Sequence, residues 1–187
     1  MSIDTLKNLM PDYAKDTKLN LGKYLGGDEV EGLSLNKVYG IALASAYATK
    51  HEKVIAALTS QAAQTLSEAE MQAAKAAASI MAMNNVYYRF VHLVSDKEYQ
   101  SMPAGIRMNV IGNPGIEKAD FELMSLAVSA INGCGMCMDA HVHEVSKAGI
   151  NKQGVQSSIK IAAIVAAAAQ TLQQEQLSAQ NACSQAA

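Results

Sequence analysis

Residues 122–143 read ELMSLAVSAINGCGMCMDAHVH. After Glu122, the next nine are apolar or small at helical density. Asn132-Gly133 then interrupts, and a second apolar-and-polar run begins at Cys134. The stretch is therefore read as helix, break, helix, with the break just ahead of a Cys-x-x-Cys. Cys134 and Cys137 are three residues apart, and Cys137 and His141 four apart. On a helix these three share one face, because residues three, four and seven apart stack along it. Glu122 lies on the preceding helix. Two thiols and an imidazole on one stripe can form a disulfide, bind a metal or support a nucleophile.

The same periodicity extends in both directions. Downstream, the second helix is expected to end at Gly149, and a final one to cover 152–177, with 178–187 a frayed tail. Upstream of it, 116–131 is helical and 107–115 (RMNVIGNPG) is the clearest loop, punctuated by glycine and proline. Ser67-Glu68-Ala69-Glu70 has the form of a capping box opening a long helix to about 94. Helices are also expected at 3–10, capped by Ser2, from Pro11 to 25, ended by Gly26-Gly27, and at 33–50 and 52–66, with a short helical or turn segment at 96–104. No alternating strand pattern is found. The fold class read from the sequence is all-α, a single domain over 1–187. A faint internal repeat is read between MAMNNVYYRF (81–90) and SAINGCGMCM (129–138), each with an Asn-containing break after an alanine-rich helix.

Composition narrows the function. The chain has 187 residues, half of them hydrophobic, and a net charge of −2. It has no basic run, which argues against nucleic-acid binding. The N-terminus shows no basic region followed by an apolar run, so no signal peptide is read. The longest apolar run, 161–169, is short and alanine-rich for a membrane span. A cytoplasmic protein is expected, without nucleic-acid or membrane partners. In that compartment a close cysteine pair is redox-active or metal-binding more often than structural.

A helix N-terminus favours the thiolate through its dipole and free N–H groups. His141, one turn beyond Cys137, is placed to take that thiol's proton, and Glu122 to orient the imidazole. This assigns Cys137 as the thiolate that attacks an electrophile such as a peroxide. Cys134, at the more exposed helix start, resolves the sulfenic acid into a disulfide, with adjustment at Gly133 or Gly135 to bring the sulfurs together. Three alternatives stay open on spacing: buried cysteines with no chemistry, a zinc site of Cys134, Cys137 and His141 completed by Glu122 or His143, and an enzyme in which the pair is incidental. His51, His92 and His143 are read as surface residues. Met124, Met136 and Met138 are read as packing, and Cys183 as idle.

The stretch resembles the alkyl hydroperoxide reductase D (AhpD) proteins of the carboxymuconolactone decarboxylase-like superfamily. Glu, eleven residues, Cys-x-x-Cys, three residues, His fits Glu122, Cys134, Cys137 and His141 without a gap. PDYAKDTKLNL (11–21), MNNVYYR (83–89), RMNVIGNPGIEKADFEL (107–123) and AVSAINGC (127–134) extend the resemblance over nearly the whole chain. It implies an all-helical homotrimer with no bound cofactor. It implies reduction of organic hydroperoxides by the Cys134–Cys137 pair, with the sulfenic acid on Cys137 and a proton relay of Glu122 and His141. It implies dihydrolipoamide on a lipoylated protein as reductant and the peroxiredoxin AhpC as partner. In one respect the chain departs: some members have histidine directly before the second cysteine, where this chain has Met136. Superfamily decarboxylases lack the cysteine pair. Alanine-rich stretches at 73–78 and 162–169 are expected to let helices of an oligomer approach closely.

Overall fold

A computed structural model describes residues 1–185. Nine α-helices make up most of it, with no strands among the described residues. They are α1 (Ile3–Asn8), α2 (Lys15–Leu25), α3 (Leu35–Thr49), α4 (Glu52–Ala62), α5 (Glu68–Leu93), α6 (Asn109–Gly112), α7 (Lys118–Ile131), α8 (Gly135–Lys147) and α9 (Lys152–Gln185), with 3-10 turns at Asp12–Ala14 and Lys97–Gln100. The caps explain several boundaries. Ser2 accepts a hydrogen bond from the Thr5 amide. Ser67 and Glu70 cap α5 reciprocally, Ser67 Oγ accepting from the Glu70 amide and Glu70 Oε2 from the Ser67 amide at 2.7 Å, which satisfies two of the helix's free donors.

Four helices make the core. The α3 helix packs on α4, α5, α7 and α9, and α7 packs on α8, α5 and α9. The middles of α3 and α7 are buried on every side. Nine consecutive residues of α3 (38–46) and nine of α7 (121–129) are buried, so these two form the centre and α5 and α9 flank them. The short α4 and α8 lie outside.

This arrangement contains a repeat, and its offset differs from the expected one. The segment 81–90 is the uninterrupted interior of α5, so it holds no break. The repeating unit is a helix, a one-residue left-handed elbow, a short helix and a long helix. It runs α3–α4–α5 and again α7–α8–α9. Lys50 turns the first elbow at φ 61° and Gly133 the second at φ 70°. His51 caps the first short helix and Cys134 the second, 83 positions later (51 to 134). An alanine-rich composition is shared by many helices, so matching by composition placed the register elsewhere.

Other differences are local. The 107–115 loop contains one helical turn, α6. Pro11 precedes a 3-10 turn, and α2 starts at Lys15. The α9 helix continues past 177 to Gln185; residues 186–187, the end of the expected frayed tail, and the Cys183 side chain lie outside the described residues. Within α9, Lys152–Asn181 is apolar and long enough to cross a bilayer, although no single run of it is. Half of its most apolar window is buried inside the protein. Alanines 73, 74 and 77, and 162, 168 and 169, are buried within the chain. They serve close helix approach inside one molecule.

Candidate active site

The site is built on the second elbow. Gly133 in the left-handed conformation ends α7 with two capping bonds, Gly133 N–H to the Ala130 carbonyl and Cys134 N–H to the Ser129 carbonyl. Glycine adopts that conformation without a side-chain penalty. Helix α5 fastens the elbow from outside. Arg89 Nη1 donates to the Asn132 carbonyl at 2.6 Å, Asn132 Nδ2 to Asn85 Oδ1 at 2.9 Å, and Asn85 Nδ2 to Ser129 Oγ at 2.9 Å.

Cys134 stands just outside α8, in extended conformation (φ −96°, ψ 93°), as its N-cap. Its Sγ accepts from the Cys137 amide at 3.3 Å. The pair is therefore not one turn of a continuous helix. The extended backbone at Cys134 brings the Cα atoms to 5.3 Å, and the two cysteines are joined as a disulfide. The expected exposures are reversed. Cys134 is fully buried, tucked under the end of α7, whereas Cys137 keeps 6% exposure and lines a cavity.

That cavity has a volume of about 430 Å³. Cys137, His141 and Glu122 lie along one wall, and Met81, Tyr88, Met108, Ile111 and Met136 make most of the rest. The lining is chiefly apolar, as small-molecule sites are. At its rim Lys118 bonds Glu144 at 3.3 Å, and that bond with the neighbouring positive charge holds the Glu144 carboxyl below its usual range. Inside, His141 Nδ1 meets Glu122 Oε2 at 2.6 Å, both side chains being almost wholly buried. The imidazole's other nitrogen lies 3.2 Å from Met81 Sδ. No hydrogen bond joins His141 to either cysteine sulfur among the described residues. The Cys137 Sγ is 4.0 Å from the Asn84 carbonyl.

All four residues singled out from the sequence thus share one site. No group of three His, Cys, Asp or Glu side chains among the described residues is disposed to hold a metal. His92 and His143 are exposed. His51 is not: it is buried between α3 and α9, and neither ring nitrogen meets the hydrogen-bond criteria with a partner among the described residues. Burial, with Lys53 nearby, lowers its pKa below 6.5. Met124 is buried against Gly40, while Met136 faces the cavity. Sequence reasoning missed Met81, Asn84, Asn85 and Arg89. All sit on α5, brought in by tertiary packing. For Asn84, Asn85 and Arg89 the signal was the MNNVYYR string (83–89), quoted for the resemblance without a role for its side chains.

The carboxymuconolactone decarboxylase family pattern matches residues 97–177, which include the whole α7–α8 site. Similarity to individual proteins extends further. The chain is 55% identical over 168 residues to the alkyl hydroperoxide reductase AhpD of Coxiella burnetii (strain RSA 493 / Nine Mile phase I), covering 90% of this chain and 95% of that one. It is 54% identical over 175 residues to the AhpD of Hyphomonas neptunium, covering 94% and 96%. It is 51% identical over 175 residues to that of Streptomyces coelicolor, covering 94% and 97%.

Proposed function

The chain belongs to the AhpD family of the carboxymuconolactone decarboxylase superfamily, and from that premise we propose that it reduces organic hydroperoxides with its Cys134–Cys137 pair. The observation that carries this reading is the placement of Cys137. It is the sulfur that faces an apolar cavity, and it shares that cavity with a buried carboxylate–imidazole couple.

The chemistry runs in two halves. In the reduced enzyme His141, oriented by Glu122, takes the Cys137 proton, and the thiolate attacks the distal peroxide oxygen. The O–O bond breaks, the alkoxide leaves with the proton held by His141, and Cys137 becomes a sulfenic acid. Cys134 then attacks that sulfur; the hydroxide leaves with the Cys134 proton as water, and the disulfide closes. The sum is ROOH + 2 RSH → ROH + H₂O + RSSR. The helix start assists because the Cys137 amide points at the Cys134 sulfur, where a negative charge is favoured.

A dithiol must reopen the bond. We assign this to dihydrolipoamide on a lipoylated partner protein, and assign to the enzyme the reduction of a peroxiredoxin, AhpC; family membership supports both. No resident cofactor enters the scheme. The enzyme is placed in the cytoplasm, where thiols are kept reduced. A homotrimer is also proposed. Its support is a stripe on the outer face of α5, where Met83, Val86, Phe90 and Leu93 recur at helical spacing and are exposed, Leu93 by 70%. Single water-facing apolar residues are ordinary, but a contiguous stripe marks a contact surface.

The test is a single turnover. Reduced protein mixed with one equivalent of cumene hydroperoxide is expected to lose two thiols and yield one equivalent of the alcohol, and dihydrolipoamide to restore both thiols. Unchanged thiols with intact peroxide would end the reading.

A further inference from the structure

Met81 lies against the far side of the imidazole that Glu122 holds. Its side chain, 1% exposed, ends with Sδ 3.2 Å from His141 Nε2, and the other ring nitrogen is 2.6 Å from Glu122 Oε2. The 2.6 Å contact requires one proton shared between Nδ1 and the carboxylate. A thioether sulfur has lone pairs and no hydrogen to give. If Nε2 were bare, two lone pairs would face one another at 3.2 Å; with a hydrogen on it, Nε2–H donates to Sδ. A proton on Nε2 would thus have Sδ as its acceptor, beside the one shared between Oε2 and Nδ1.

We propose that Met81 is a positioning residue that holds the Nε2 proton of His141 while the disulfide is closed, so that the relay is loaded before reductant arrives. This rests on the peroxidase reading above. A thioether suits the task because it is a weak acceptor. It satisfies an N–H that would otherwise be buried without a partner, yet it does not compete with a thiolate for that proton. In the reductive half, a thiolate of the dithiol enters the cavity and attacks Cys137 Sγ, the accessible sulfur. The Cys134–Cys137 bond breaks, a mixed disulfide forms, and Cys134 leaves as a thiolate beside the Cys137 amide. The second thiol of the reductant attacks its own partner sulfur and closes a ring, its proton passing to Cys134. Cys137 leaves as a thiolate, and His141 turns from Met81 and protonates it. The bare Nε2 is then the base that the peroxide step needs. When the disulfide closes again, solvent returns one proton to the relay through Glu122, matching the one lost when the reductant became a thiolate.

The inference is tested on the disulfide form with ¹⁵N-labelled histidine. Long-range ¹H–¹⁵N spectra are expected to show His141 Nε2 as protonated in the wild type. Met81→Leu, close in volume and so tolerated by the core, is expected to shift Nε2 toward the unprotonated form. It should slow reduction of the disulfide by dithiothreitol about tenfold. Met81→Gln, which restores an acceptor, should restore the protonated signal. An unprotonated Nε2 in the wild type, an unchanged Nε2 signal in Met81→Leu, or disulfide reduction in Met81→Leu as fast as in the wild type would overturn the proposal. Failure of the wild type to consume organic hydroperoxide would instead remove the peroxidase reading, and the spectra would still report where the proton sits.

Discussion

Glu122 and His141 touch one another rather than either sulfur in the disulfide form, so their effect on Cys137 must come through the reduced enzyme. His141→Gln and Glu122→Gln are each expected to lower the rate of sulfenic-acid formation at Cys137 by about a hundredfold or more, while alkylation of Cys134 in a Cys137→Ser background changes little. Stopped-flow with a thiol probe on each single-cysteine variant measures both. The four residues were legible in the sequence because their spacing is fixed by two consecutive helices and one elbow. Met81 was not, because α5 reaches the site only through packing. His51 was misread for a related reason: its polarity indicates the surface, but it caps α4 at the elbow equivalent to that of Cys134, where α9 covers it. Its lowered pKa carries a sign. The unfolded chain binds a proton near pH 6.5 and the folded one only at lower pH, so stability falls as pH drops through that window. His51→Gln is expected to flatten the dependence of Tm on pH between 7 and 5, compared with wild type by calorimetry.

Helix boundaries were legible where a side chain announces them and less so where only backbone decides. The Ser67–Glu70 box was visible at once, and Ser67→Ala is expected to cost about 1 kcal/mol in urea unfolding. The single turn α6 was not foreseen, since a loop rich in glycine and proline gives no periodicity over four residues. The two elbows allow a direct comparison. Lys50 holds a left-handed conformation that its side chain disfavours, whereas the equivalent Gly133 holds one with no side chain to oppose it. Lys50→Gly is expected to stabilise by about 0.5–1 kcal/mol. Gly133→Ala should destabilise by about 1 kcal/mol and also slow disulfide closure, because Cys134 takes its extended position from that turn. Denaturation midpoints of the two variants, moving in opposite directions, check the comparison.

Across the molecule the duplicated unit explains why one half works and the other does not. The first elbow presents His51, Val54 and Leu58 where the second presents Cys134, Cys137 and His141. The first copy's short helix is sealed by α1, with Leu6, Val54 and Leu58 in the continuous core. The second copy's short helix has no such seal and opens on the cavity. The all-α class was legible in the sequence because its polar breaks and caps are regular; the repeat's true offset was not, because it lies in turn geometry rather than in letters. The α5 stripe is a property of the whole fold in the same sense, since sequence alone does not tell which face is left uncovered. Light scattering is expected to give a trimer mass at micromolar concentration, and Phe90→Glu on the stripe to shift it toward the monomer while far-ultraviolet dichroism stays unchanged.

The account turns on Cys137 being the sulfur that meets peroxide. Cys134→Ser protein, reduced and then mixed with one equivalent of cumene hydroperoxide in the presence of a sulfenic-acid trap, can be digested and the modified residue found by mass spectrometry. The expected result is one trap molecule on Cys137 and one equivalent of alcohol. Trapping on Cys134 in the reciprocal Cys137→Ser protein, with no label on Cys137 in the first, would contradict it.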